Sequence, residues 1–138
     1  MTHRVFYTRE IPFPLEQTWP MFDFAAPGWT VTGGAREVGA TRSTEMPGLG
    51  RVVDRLVAYR EGPDEMSLTY ALINDDNPFG SRGYEATVTV MRNTTDPGRC
   101  FLRYESRWDT AAPELAERFP GIMDGMVAQM LDALSGDA

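Results

Sequence analysis

A chain of 138 residues with 42% hydrophobic and 11% aromatic residues carries enough apolar surface for one ordinary core, which excludes a disordered chain. Its formal net charge of −7 at pH 7 suits neither phosphate backbones nor anionic lipid, so neither nucleic acid nor membrane is an expected partner. All 13 basic residues are arginine, which excludes lysine chemistry, and a single histidine (His3) and a single cysteine (Cys100) leave no basis for a metal centre, another cofactor or an internal disulfide.

No apolar run is long enough for a transmembrane helix. The opening Met1-Thr2-His3-Arg4-Val5-Phe6 lacks the apolar stretch and cleavage site of a secretory signal, so the expected compartment is the cytoplasm. Without repeats, low-complexity stretches or charged tails, residues 1–138 are expected to form a single domain.

Residues 3–11 mix β-branched and aromatic residues and predict a strand, closed by Pro12 and Pro14. Leu15, Trp19 and Phe22 come next at helical spacing, with Pro14 suited to a first-turn position and Pro20 predicting a break. Residues 25–29 predict a turn, and Gly33-Gly34 and Gly39 punctuate the stretch beyond it. The β-rich runs 38–46, 50–60, 65–74, 82–92 and 99–109 then predict a meander. Their connections are Pro47-Gly48-Leu49-Gly50, Glu61-Gly62-Pro63-Asp64, Asn77-Pro78-Phe79-Gly80 and Asp96-Pro97-Gly98. Several runs alternate with period two, which predicts one buried and one wet face. Leu102, Tyr104, Ser106 and Trp108 oppose Arg103, Glu105 and Arg107; Tyr84, Ala86, Val88 and Val90 oppose Glu85, Thr87 and Thr89. Met66, Leu68, Tyr70 and Leu72 share a third such face. Pro120 is able to open a C-terminal helix, in which Met123, Met126, Val127, Met130, Leu131 and Leu134 form an apolar stripe. The pattern calls for an α+β architecture, with a curved antiparallel sheet receiving one long helix on its apolar face.

In their order and spacing, these residues resemble the Bet v 1-like, START-related superfamily of helix-grip proteins, on its polyketide cyclase/dehydratase-like side. The resemblance covers nearly the whole chain. It rests on Ile11-Pro12 and Trp19 after the first strand, Trp29, Gly39-Ala40-Thr41-Arg42, Asp54-Arg55-Leu56, and the aromatic strand positions Tyr70, Tyr84 and Trp108. Pro20, and Tyr104 where many relatives carry tryptophan, depart from the pattern. The resemblance implies two short N-terminal helices and a seven-stranded antiparallel sheet wrapped around the C-terminal helix, with a cavity for an apolar small molecule between sheet and helix. Relatives gate that cavity with two loops, and Met46–Gly50 and Asn77–Arg82 are similar to these in position. A lipocalin-like barrel would also end in a helix, but would lack the helical stretch near Trp19. The cone-shaped isomerase-like fold would put its long helices first.

On the expected inward face lie the polar residues Arg42, Thr44, Asp54, Tyr70, Tyr84, Tyr104 and Ser106. An inward arginine is costly unless paired, so Arg42 and Asp54 are expected to satisfy each other or a ligand oxygen. In a cyclase-like site Arg42 would hold that oxygen while Asp54 or Tyr84 moves a proton, which makes these three the catalytic candidates. The ligand-binding candidates are Thr44, Met46, Tyr70, Leu72, Ala86, Tyr104, Ser106, Met123, Met126, Val127 and Met130. Methionine suits such a lining because it fills irregular space and re-packs easily, though a methionine-rich core would look the same. Two functions are compatible with the pattern: a cofactor-free cyclase or dehydratase acting on a polyketide-like or other apolar substrate, or a non-catalytic carrier or sensor of a lipid or hydrophobic metabolite, as monomer or homodimer. A simple core would leave the protein a structural module.

Overall fold

The computed structural model describes residues 3–46, 50–111 and 114–136. Strand β1 (His3–Ile11) is followed by a four-residue helix, α1 (Leu15–Thr18), and one 3-10 turn (Trp19–Met21). The strands β2 (Thr30–Thr32), β3 (Thr41–Met46), β4 (Gly50–Glu61), β5 (Glu65–Leu72), β6 (Glu85–Arg92) and β7 (Cys100–Trp108) come next, then the long helix α2 (Leu115–Leu134). The seven strands form one antiparallel sheet in the order β1-β7-β6-β5-β4-β3-β2. The first strand therefore closes against the last, and the segment 12–29 carries the chain from one sheet edge to the other. This is the helix-grip α+β arrangement.

The period-two pattern is realised strand by strand. In β7 Leu102, Tyr104, Ser106 and Trp108 are buried while Arg103 and Arg107 are exposed, and in β6 Ala86, Val88 and Val90 are buried. Strand β4 changes phase part-way. Val52, Asp54 and Leu56 face inward, a bulge interrupts the pairing with β5 between Leu56 and Ala58, and beyond it Tyr59 packs on the core.

The N-terminal connection differs from the expected pair of short helices. Pro20 has no N–H to extend α1, and the chain instead tightens into the 3-10 turn that places Trp19 and Phe22 in the core. Helix α2 begins at Leu115, five residues before Pro120 was expected to open it, so Pro120 lies within the helix on its exposed side. Starting earlier extends the apolar stripe to Leu115 and Phe119, which are buried with Met123, Val127 and Met130. The Tyr7 hydroxyl donates to Asp124 Oδ1 at 2.6 Å, fixing the helix against β1. Among the described residues no helix is long and apolar enough to cross a membrane.

Gly125 sits in the exposed interior of α2 with open space where a Cβ would stand. Glycine there carries only its entropic cost, so Gly125→Ala is expected to raise stability by about 0.5–1 kcal/mol in urea unfolding.

Candidate functional site

Between the concave face of the sheet and α2 lies a cavity of about 210 Å³. Strands β3 to β5 line it with Arg42, Thr44, Met46, Val52, Asp54, Tyr70 and Leu72; β6 and β7 add Val88 and Tyr104, and Tyr84 stands at the start of β6. Helix α2 supplies Leu115, Phe119, Ile122, Met123 and Met126, and the N-terminal connection supplies Met21, Phe22, Ala26 and Trp29. Asp54, Val88, Phe119 and Met123 are buried and form the inner end, whereas Trp29, Met46, Phe79, Ile122 and Met126 keep surface toward solvent and form the rim.

The inner end holds a buried ion pair. Arg42 and Asp54, only 6% and 1% exposed, oppose each other in the β3–β4 register, and Arg42 Nε donates to Asp54 Oδ2 at 3.0 Å. Nη1 donates to the carbonyls of Phe24 at 3.2 Å and Asp23 at 3.4 Å. The guanidinium also lies over Trp29 at 4.0 Å, Phe24 at 4.7 Å and Tyr70 at 4.9 Å from the ring centroids. These contacts hold a charge that burial would otherwise make costly. The segment that presents them is fixed in turn: Trp19 Nε1 donates to the Tyr59 hydroxyl, which donates to Asp23 Oδ1, each at 3.0 Å. Thr44 Oγ1 donates to the Gly28 carbonyl at 2.8 Å and so holds the turn before Trp29.

Asp54 is only half satisfied. Its Oδ1 is the one buried side-chain polar atom without a hydrogen-bond partner among the described residues, and the residue lines the cavity. Burial raises its pKa and Arg42 lowers it, leaving the carboxyl pushed up from 3.8 to about 6. Burial thus outweighs Arg42, and the carboxyl holds its proton more tightly than a free aspartate does.

The tyrosines are arranged as neutral groups. The hydroxyls of Tyr70 and Tyr104 bond to each other, and the Tyr84 hydroxyl bonds to Ser106 Oγ at 2.8 Å. The Tyr84 ring stacks on Trp108 with centroids 6.1 Å apart. Burial pushes the Tyr84 phenol up to about 12 and raises those of Tyr70 and Tyr104 as well. Gly83, at φ +68°, turns the chain into Tyr84; a Cβ there would overlap the Asp109 carboxylate.

Of the residues singled out from sequence, Arg42, Thr44, Met46, Asp54, Tyr70, Leu72, Tyr84, Tyr104, Met123 and Met126 meet around this cavity. Ala86, Ser106, Val127 and Met130 are buried but lie outside its lining; Ser106 reaches it only through Tyr84. Trp29, singled out in the sequence only through the family resemblance, lines the rim and covers Arg42. Phe119 and Leu115 were missed with the first turns of α2, although Phe119 stands four residues before Met123 and continues its stripe. Of the two expected gate loops, residues 47–49 of Met46–Gly50 lie outside the described residues. The other is tied down by Asn77, whose Oδ1 accepts from Phe79 N and from Ser81 N and Oγ, while Nδ2 donates to the carbonyls of Asn74 and Ser81. These bonds set Phe79 at the rim.

No protein-family model and no curated protein sequence matches the chain. Solved structures do match. A protein from Nitrosospira multiformis superposes with a TM-score of 0.70 at 18% identity over 96% of each chain. One from Thermobifida fusca gives 0.69 at 25% identity, covering 95% of this chain and 89% of that one. Norcoclaurine synthase from Thalictrum flavum, in complex with dopamine and hydroxybenzaldehyde, gives 0.60 at 18% identity, covering 99% of this chain and 86% of that one. The fold is the Bet v 1-like helix grip. Arg42 and Asp54 stand at the inner end of the cavity between sheet and helix.

Proposed function

We propose that the protein takes a small, largely apolar molecule into this cavity and acts on it as a cofactor-free proton-transfer catalyst of the cyclase/dehydratase kind. The supporting observation is Asp54 Oδ1, an unpartnered carboxylate oxygen in a largely apolar chamber. Burying about 300 Å² of ligand surface would contribute about 7 kcal/mol before association entropy is subtracted, so binding needs no further chemistry. Asp54 takes a proton from the carbon next to a substrate carbonyl. The C–H electron pair moves into the new C=C bond, and the carbonyl oxygen becomes an enolate oxygen held by the Arg42 guanidinium. The proton then goes to a leaving hydroxyl, which departs as water as the enolate pair forms the new C=C, or to the oxygen of an internal carbonyl as the enolate carbon attacks it and closes a ring, leaving an alcohol; either way Asp54 is ionised again. Tyr84, neutral at physiological pH, acts as a hydrogen-bond donor rather than a base.

The test uses 2-tetralone, an apolar bicyclic ketone, in deuterated buffer. Protein-dependent deuterium incorporation at its C1 carbon is expected by NMR, with a rate that rises as Asp54 ionises through about pH 6 and falls by about 100-fold in Asp54→Asn. Equal exchange in the variant would end the catalytic role of Asp54. The alternative, a carrier or sensor of a hydrophobic metabolite, is favoured by the closed tyrosine pairs, which leave fewer free polar groups in the cavity. It predicts 2-tetralone binding without exchange, and a retained small molecule in native mass spectrometry of freshly purified protein.

A further inference from the structure

We infer that the cavity selects ligands whose buried end is a neutral hydrogen-bond donor, a hydroxyl or an N–H, over ligands that end there in an ammonium, an ether or plain hydrocarbon. The inference rests on the cavity binding proposed above, not on the proton-transfer step, and adds the chemical class of the ligand head that binds most tightly.

Asp54 Oδ1 is an acceptor taken out of water by a residue 1% exposed, and among the described residues nothing donates to it. A buried acceptor left unmet keeps its desolvation cost, larger when it is charged, and a ligand donor that meets it recovers that cost as affinity. A hydrocarbon or ether end cannot donate, and would seal the oxygen from solvent without replacing the lost hydrogen bond.

The head must also be neutral. The other carboxylate oxygen already receives Arg42 Nε at 3.0 Å, so the pair is close to charge balance before any ligand arrives. An ammonium beside Oδ1 would meet the guanidinium at short range in an apolar chamber and would leave the buried cluster with a net positive charge. Trp29, Phe24 and Tyr70 hold that guanidinium, so it does not swing away to make room. An anionic head would face the Asp54 carboxylate itself.

The groups around Asp54 leave this choice to the ion pair. Strand β3 contributes Arg42; β5, the start of β6 and β7 contribute Tyr70, Tyr84 and Tyr104, all phenols that burial keeps neutral. Helix α2 lines the cavity only with Leu115, Phe119, Ile122, Met123 and Met126. The carboxylate of Asp23, in the N-terminal connection, is turned to Tyr59 and Arg36 rather than to the cavity.

Isothermal titration calorimetry on the intact protein with 2-naphthol, 2-methoxynaphthalene and 2-naphthylmethylammonium separates the cases. At about pH 7.5 2-naphthol is expected to bind about ten-fold or more tightly than either of the others. At about pH 5 Asp54 is protonated and offers an O–H of its own, so the ether gains and the preference for 2-naphthol over 2-methoxynaphthalene shrinks. Equal affinity for all three at both pH values would overturn the inference while leaving cavity binding intact. Tightest binding of the ammonium would overturn it in favour of charge recognition. No heat with any of them would remove the cavity-binding proposal and the inference together.

Discussion

Arg42→Met is expected to cost about 3–5 kcal/mol of folding stability near pH 8, because it strands the Asp54 carboxylate in the core. Methionine fills much of the same space but offers no hydrogen bond to Asp54 Oδ2 or to the carbonyls of Phe24 and Asp23. The loss should depend on pH in a definite sense. In the native protein the Asp54 carboxyl is raised from 3.8 to about 6, so the folded state holds its proton more tightly than the unfolded chain does. This group therefore favours folding at low pH, and that contribution is lost as pH rises through about 6. Without the guanidinium that now holds it down, the carboxyl rises further and the window of loss extends to higher pH. At about pH 4 Asp54 is protonated with or without Arg42, and the variant should trail by only about 1–2 kcal/mol from the orphaned carbonyls. Urea-unfolding curves of both proteins at about pH 4 and about pH 8 provide the check. A deficit of the same size at both would mean that Arg42 stabilises through its ring contacts and not through Asp54.

Phe24→Ala is expected to be comparably severe, about 3–5 kcal/mol, since the ring is wholly buried and its removal leaves a cavity. The same residue gives its carbonyl to Arg42 Nη1 and its ring face to the guanidinium, and its backbone N–H is fixed by Asp23 Oδ1. Phe24→Leu preserves most of the volume and should lose less than about 1.5 kcal/mol if packing dominates. Chemical denaturation of the two variants separates the causes. Similar losses in both would show that the ring against the guanidinium, not the filled volume, carries the stability.

Much of the sheet was legible because its signal is local. Alternation in 102–108 and 84–90 assigns each side chain to a face whatever the strand pairs with, and the inward positions of Arg42, Asp54, Tyr70 and Tyr104 follow from the same periodicity. The three-residue β2 was not legible, since it exists only as the partner of β3 through Thr30, Val31 and Thr32. The phase change in β4 was equally hidden. The bulge after Leu56 turns Tyr59 toward the core, where it joins Trp19 to Asp23, and no local pattern in Val57-Ala58-Tyr59 announces it. The start of α2 was misplaced because Pro120 is suited to a first turn and is also tolerated on the exposed side of a longer helix. Only the burial of Leu115 and Phe119 against the sheet chooses between these.

The sequence by itself determined the α+β class and the inward faces, and required that Arg42 and Asp54 find a partner in each other or in a ligand, because periodicity and the cost of an unpaired charge act within a few residues or across one register. The tertiary structure alone decided that Trp29 and Phe24 close over Arg42, that Ser106 meets the cavity only through Tyr84, and that Asp54 keeps one oxygen unmet. Those outcomes depend on where a loop crosses a sheet and on how much space a helix leaves above it. Both are set by contacts between residues far apart in the chain, to which no local pattern is sensitive.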